Sequence, residues 1–158
     1  MDVSGFFSYP NLSDADASED LILLPDLDDH DWGKILAHTV RVRFRAREIV
    51  IQHGEAERAL YIVAAGSLSV LLPESESHRQ KDLAVIESGS VLGEVSFFDG
   101  APRSASVRAL TDGELIRLSF ESFEVLAARE PALARSLIFD LGRILANRLR
   151  IVNAVLAG

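Results

Sequence analysis

The hydrophobic period changes twice along this chain, and the two changes confine its fold. From Val40 the apolar residues recur at every second position: Val40, Val42 and Phe44 alternate with Arg41, Arg43 and Arg45. That alternation predicts a half-buried strand with a basic outer face. After Ser119 the repeat lengthens to the helical one and keeps it to the end of the chain. Between the two changes lie short apolar runs at 48–52, 60–64, 68–72, 83–86, 105–110 and 114–119. Turns set them apart: His53-Gly54-Glu55, Glu87-Ser88-Gly89-Ser90 and Thr111-Asp112-Gly113. Ala65-Gly66-Ser67 predicts a hairpin between its two flanking strands. Residues 73–81 are polar and read as a loop. Strands at this spacing predict an antiparallel barrel or jelly roll, not a βαβ sheet. The fold class is therefore α+β, mainly β.

Helices flank the barrel. One is predicted over 28–39, with Asp28 or Asp29 as cap and Trp32, Ile35 and Leu36 as its apolar stripe. A short helix follows the barrel at 121–129. A long one runs over 131–155, with Pro131 at its first position. Leu133, Leu137, Leu141, Ile144, Leu145, Leu149, Val152 and Leu156 give the long helix a stripe wider than one barrel face needs. The excess width suggests a second apolar surface, suited to a homodimer.

At 158 residues the chain fits one domain. Its net charge of −8 is unevenly placed. Residues 1–40 carry nine acidic side chains and one basic; residues 41–158 carry 15 of each. Residues 1–26 read as an acidic arm, containing Ser13-Asp14-Ala15-Asp16-Ala17-Ser18-Glu19-Asp20, and residues 27–158 as the folded domain. An acidic balance argues against duplex nucleic acid as the main partner. The Arg41, Arg43, Arg45 and Arg47 stripe is expected to be a solvated strand face or a partner for the acidic arm. Cysteine is absent, which excludes disulfides, thiolate metal sites and cysteine nucleophiles. No apolar run approaches the roughly 20 residues of a spanning helix, so no membrane insertion is expected. The acidic N-terminus lacks a basic n-region, and the expected location is cytoplasmic.

The segment from Gly93 to Val107 carries the chemistry. It reads Gly-Glu-Val-Ser-Phe-Phe-Asp-Gly-Ala-Pro-Arg-Ser-Ala-Ser-Val. It lies between two strands and predicts a short helical turn starting near Glu94. Gly93 permits a close backbone approach. Arg103 is a planar five-donor cation suited to phosphate. Glu94 would accept hydrogen bonds from sugar hydroxyls. Together they suggest a small ligand with one phosphate and a ribose. The same two residues would also serve as a structural ion pair.

This segment resembles the phosphate-binding cassette of the cyclic nucleotide-binding domain family. The resemblance runs through Gly93, Glu94, Phe97, Gly100, Pro102, Arg103, Ser104, Ala105 and Val107. A second signature lies upstream in Gly54-Glu55, Leu60-Tyr61-Ile62-Val63, Gly66, Leu68 and Val70. The resemblance covers about residues 27–156, with the barrel at about 40–119 and the C-terminal helices at about 121–156. It implies that Glu94 accepts from the ribose 2′-hydroxyl and that Arg103 pairs with the cyclic phosphate. It implies further that Val95, Ser96 and Ala105 complete the anion site, that Ser104 adds a hydroxyl, and that Gly93 belongs to the same site. Val91 and Leu92 are expected to line the pocket near the sugar or base. The C-terminal helix is expected to cap the base, with Asn147, Arg148 and Ile151 as candidates. The expected ligand is cyclic AMP or cyclic GMP, with no other cofactor and no metal.

Few residues follow Val155, so a DNA-binding output module is not expected. The implied role is a stand-alone sensor that offers a conformational change to an effector protein of unknown identity, without direct DNA binding. No enzyme is expected: His30, His38, His53 and His78 are scattered, and no nucleophile or Walker motif stands out. Two alternatives stay open: a scaffold whose cassette is filled by its own side chains, and a sensor of a cyclic dinucleotide.

Overall fold

The computed structural model describes residues 27–71 and 82–158. The acidic arm and the 73–81 loop expected from the sequence lie outside the described residues. Helix α1 (Asp29–Leu36) comes first, capped by Asp28, whose carboxylate accepts from the Asp31 N–H at 2.8 Å. Eight strands and three further helices follow: β1 (Val40–Phe44), β2 (Ile49–Ile51), β3 (Ala59–Ala65), β4 (Leu68–Leu71), β5 (Asp82–Ile86), β6 (Val91–Leu92), α2 (Glu94–Asp99), β7 (Ser106–Ala109), β8 (Gly113–Ser119), α3 (Phe120–Arg129) and α4 (Pro131–Ala157). The strands form two antiparallel four-stranded sheets, ordered β1-β8-β3-β6 and β2-β7-β4-β5. This is the jelly-roll arrangement expected from the strand spacing.

One expected connection is wrong. Ala65-Gly66-Ser67 does not close a hairpin. β3 pairs with β6 and β8, whereas β4 pairs with β5 and β7. The turn instead carries the chain from one sheet to the other. The β7–β8 turn does the same beside it, and the two corners lock together. Ser67 O accepts from the Leu110 N–H at 2.8 Å, and the Thr111 hydroxyl accepts from the Ser67 N–H at 3.0 Å. Glycine is needed on both sides of this contact. A Cβ at Gly66 would stand 2.6 Å from Asp112 O, and one at Gly113 would stand 2.2 Å from Ala65 O. A glycine between two strands signals such a corner as readily as a hairpin.

Two cores result. Between the sheets lie Phe44, Ile51, Tyr61, Val63, Leu68, Val70, Ile86, Leu92, Val107 and Leu115. Between the first sheet and the helices lie Ile35, Leu60, Val91, Phe97, Leu118, Leu126, Leu133, Leu137, Leu141 and Ile144. β3 and β6 therefore bury both of their faces. Because strand side chains alternate in direction, neighbours such as Leu60 and Tyr61, or Val91 and Leu92, serve different cores. The expected stripe of α4 divides in the same way. Leu133, Leu137, Leu141, Ile144 and Val152 are buried, whereas Leu149 and Leu156 remain exposed.

Candidate functional site

The turn and helix after β6 are built around two glycines. Gly93 and Gly100 bracket α2, with φ of +73° and +70°. At Gly93 the left-handed backbone is accompanied by crowding. A Cβ there would stand 2.5 Å from Arg103 Nη1 and 2.9 Å from Ala59 O. Only glycine lets the Arg103 side chain lie against this backbone. Arg103 Nη1 donates to Gly93 O at 3.1 Å, and Nη2 donates to Ala59 O at 2.9 Å. Its main chain is fixed as well. Arg103 N donates to Glu55 O at 2.9 Å, and Gly54 N donates to Arg103 O at 2.8 Å. The upstream Gly54-Glu55 pair thus clasps the backbone of Arg103. The two sequence signatures meet at this one residue.

Glu94 and Arg103 are both nearly excluded from solvent, at 1% and 3% exposure. They are not paired with each other. Glu94 Oε1 accepts from Arg148 Nη1 of α4, and Arg148 Nη2 donates to Val91 O at 3.0 Å. Arg103 Nη2 lies 3.4 Å from Glu57 Oε2. Glu57 Oε1 in turn accepts from the Tyr61 hydroxyl at 2.6 Å and from Arg117 Nε at 2.9 Å. Burial acts to raise the Glu57 carboxyl, but the bonds from Tyr61 and Arg117 and the charges of Arg103 and Arg117 outweigh it and hold it below its ordinary value. The Tyr61 hydroxyl is pushed up to about 12, first by burial and then by its bond to Glu57.

A cleft opens beside these groups. It holds about 350 Å³ of empty space, its open mouth included, and is lined by Ile51, Val70, Leu92, Gly93, Glu94, Val95, Ser96, Arg103, Ser104, Ala105 and Val107. Glu94 Oε2 and Arg103 Nε are buried and have no hydrogen-bond partner among the described residues. A charged group left so in a low-dielectric site is costly, and the two atoms belong to opposite charges lining one cleft.

Of the residues expected from the sequence, Leu92, Gly93, Glu94, Val95, Ser96, Arg103, Ser104 and Ala105 all line this cleft. Val91 does not. It packs in the helix-side core, because it points to the opposite face of β6 from Leu92. Among the expected cap residues, Arg148 reaches Glu94, whereas Asn147 and Ile151 are half-buried on α4 and do not line the cleft. Ile51, Val70 and Val107 were missed as lining residues. Their signal was the inward register of β2, β4 and β7, legible only once the pairing of those strands is known. Among the described residues no group of three His, Cys, Asp or Glu side chains could hold a metal ion.

The family profile of the cyclic nucleotide-binding domain matches residues 41–130. An uncharacterized NTE family protein of Mycobacterium tuberculosis is 28% identical over 144 residues, which cover 86% of this chain and 24% of that protein. The cAMP-activated global transcriptional regulator Vfr of Pseudomonas aeruginosa is 30% identical over 121 residues, 74% of this chain and 54% of the regulator. The chain therefore spans between a quarter and about half the length of these curated relatives. The crystal structure of the Thermus thermophilus catabolite activator protein superposes with a TM-score of 0.74 at 29% identity, covering 85% of this chain and 61% of that one. A cyclic nucleotide-binding domain from Methylobacillus flagellatus gives a TM-score of 0.75 at 21% identity, covering 94% and 90%, and shares the fold. The jelly roll, the cassette around Arg103 and the profile match agree: the chain belongs to the cyclic nucleotide-binding domain family.

Proposed function

We propose that this chain senses a cyclic mononucleotide, cyclic AMP or cyclic GMP, in the cleft beside α2. The observation that carries the reading is the pair of unsatisfied buried atoms. Arg103 Nε is a cationic donor and Glu94 Oε2 an anionic acceptor, both in residues of the same cleft. A ribose-phosphate offers the complement of each: a phosphate oxygen for Arg103 and a 2′-hydroxyl for Glu94. Gly93, Val95, Ser96, Ser104 and Ala105 surround the phosphate end. Leu92, Ile51, Val70 and Val107 supply apolar walls. The binding module acts by regulation and not by catalysis, in the cytoplasm, through an effector protein.

The signal leaves through α4. Arg148 holds Glu94 by one carboxylate oxygen, so the residue that would accept from the ribose is already tied to the C-terminal helix. A ligand that binds one arrangement of this pair better than another shifts α4 accordingly. We assign Arg148 to this coupling and not to a base cap. A second copy of the chain is the partner proposed for the exposed apolar edge of α4.

Isothermal titration calorimetry tests the reading. Cyclic AMP or cyclic GMP should give saturable heat. Arg103→Ala should weaken binding by about 30-fold or more, the cost of losing a charge-assisted bond in a desolvated site. A 2′-deoxy analogue should bind more weakly than its ribo form. Unchanged affinity in Arg103→Ala would refute the assignment.

The Arg148–Glu94 pair also favours a second reading, in which the cassette is filled by its own side chains and the domain serves as an interaction scaffold. Calorimetry separates the two. A scaffold gives no heat with cyclic mononucleotides or cyclic dinucleotides, and heat with a dinucleotide alone would reassign the ligand.

A further inference from the structure

Arg58 grips the end of α2 that faces away from the cleft. Its Nε donates to Phe97 O at 2.9 Å and its Nη2 donates to Phe98 O at 3.0 Å. These are carbonyls of the last turn of α2, where no further helical N–H follows and the helix dipole is negative. The same guanidinium lies 3.6 Å from the ring centroid of Phe120, the first residue of α3. The Arg58 main chain adds a third tie, for its carbonyl accepts from the Phe120 N–H at 3.0 Å. Beneath it Phe97 meets Phe98, Phe120 and Phe123 edge to face, at 5.5–5.8 Å between centroids. One residue at the entrance of β3 thus holds the cassette helix and the start of the C-terminal helices together.

We propose that Arg58 is a positioning residue that joins α2 to α3, so that the two move as one body. A planar fork is needed for this task. It spans two adjacent carbonyls and still lays a face on an aromatic ring, which an ammonium group cannot do. The consequence for signalling rests on the proposed cyclic nucleotide reading; the joint itself does not. It gives the cleft a route to the C-terminal helices separate from the Arg148–Glu94 pair. Arg148 ties α4 to the first residue of α2, whereas Arg58 ties α3 to its last turn.

The test uses amide hydrogen exchange on the full chain, first without ligand. Arg58→Lys and Arg58→Ala should each speed exchange by about tenfold in the last turn of α2 and in the first turn of α3 together. Amides of the β2-β7-β4-β5 sheet should keep their rates. The joint is overturned if only one of the two segments responds, if every segment speeds equally, or if Arg58→Lys behaves as the wild type. The second arm adds cyclic AMP. In the wild type, ligand should slow exchange in both α2 and α3. In Arg58→Lys, affinity should stay within about tenfold and the slowing should stop at α2. Slowing that still reaches α3 in Arg58→Lys would overturn the joint. A wild type that gives no heat with cyclic AMP or cyclic GMP would remove the ligand reading, and the ligand-free arm would still decide the joint.

Discussion

Arg103 is fixed in a nearly dry site because its two terminal nitrogens are spread over several acceptors. Two carbonyls take its terminal nitrogens, and Glu57 stands 3.4 Å away. Glu57 is shared between two arginines and a tyrosine, and this sharing makes stability depend on pH at both ends of the scale. The folded carboxyl lies below its ordinary value, so on acidification the unfolded chain takes up the proton first. The stabilisation is full above about pH 5 and is lost as the pH falls through the folded value. Glu57→Gln should flatten the acid limb of a urea-midpoint profile below about pH 5. Tyr61 behaves in the opposite sense. Its hydroxyl is raised to about 12, so its contribution is whole below an unfolded value of about 10 and is lost as the pH rises through 12. Tyr61→Phe should flatten that alkaline limb. A wild-type profile with the same acid slope as Glu57→Gln would discard the shared-carboxylate account. The Glu94–Arg148 pair invites a cycle instead. Removing one partner of a buried pair strands the other, so Arg148→Met should cost about 3–5 kcal/mol in urea unfolding. Adding Glu94→Gln to it should recover most of that loss, since no uncompensated charge then remains. A double variant no more stable than Arg148→Met would contradict this.

At the scale of elements, the apolar runs and periodicities placed β1, β2, β3, β4, β5, β7, β8, α1, α3 and α4 close to where they lie, and the Gly93–Val107 segment placed the short α2. What they could not convey was partnership. β6 has two residues, too few to show a period, and both of its side chains are buried in different cores. β3 is apolar on both faces, so its alternation is hidden. The cassette itself was legible because its residues are contiguous, and their backbone needs select glycine at fixed places. The cleft walls were not, because Ile51, Val70 and Val107 come from three strands united only by pairing. The corner at Gly66 shows the same limit and yields a comparison. Gly66 and Gly89 have nearly equal φ, +90° and +92°. A Cβ at Gly89 meets nothing within 4 Å, whereas one at Gly66 meets the Asp112 carbonyl, the Gly113 Cα and the Phe44 ring. Gly89→Ala should cost only the left-handed strain, about 1–2 kcal/mol. Gly66→Ala should cost that and the collision with the neighbouring corner, about 2–5 kcal/mol in all. Equal losses in denaturant unfolding would mean that the corners do not bear on each other.

At the scale of the whole molecule, α4 presents an exposed apolar edge among the described residues. Along α4, Phe139, Gly142, Ala146, Leu149, Asn153 and Leu156 are all exposed, and they follow one another in alternating steps of three and four. Phe139, Leu149 and Leu156 expose 68%, 58% and 53% of their surface. Steps of three and four are the seam of a two-stranded coiled coil, and the small Gly142 and Ala146 would allow the helices to approach closely. A polar Asn153 within such a seam fixes register at some cost in stability. No α-helix long and apolar enough to cross a membrane occurs among the described residues, so lipid does not account for this edge as a spanning segment. Charge opposes pairing of residues 27–158 only weakly, since they carry 18 acidic and 16 basic side chains. Sedimentation velocity should therefore find a dimer whose dissociation constant changes little between low and high salt, because apolar contacts are not screened. Leu149→Glu should yield a monomer whose affinity for the proposed cyclic nucleotide matches that of the wild type, since Leu149 does not line the cleft. A wild type that stays monomeric, or a Leu149→Glu variant that stays dimeric, would move the dimer off this helix. A dimer that dissociates on adding salt would instead place the contact on charged surface, with the Arg41, Arg43, Arg45 and Arg47 stripe as the first place to look.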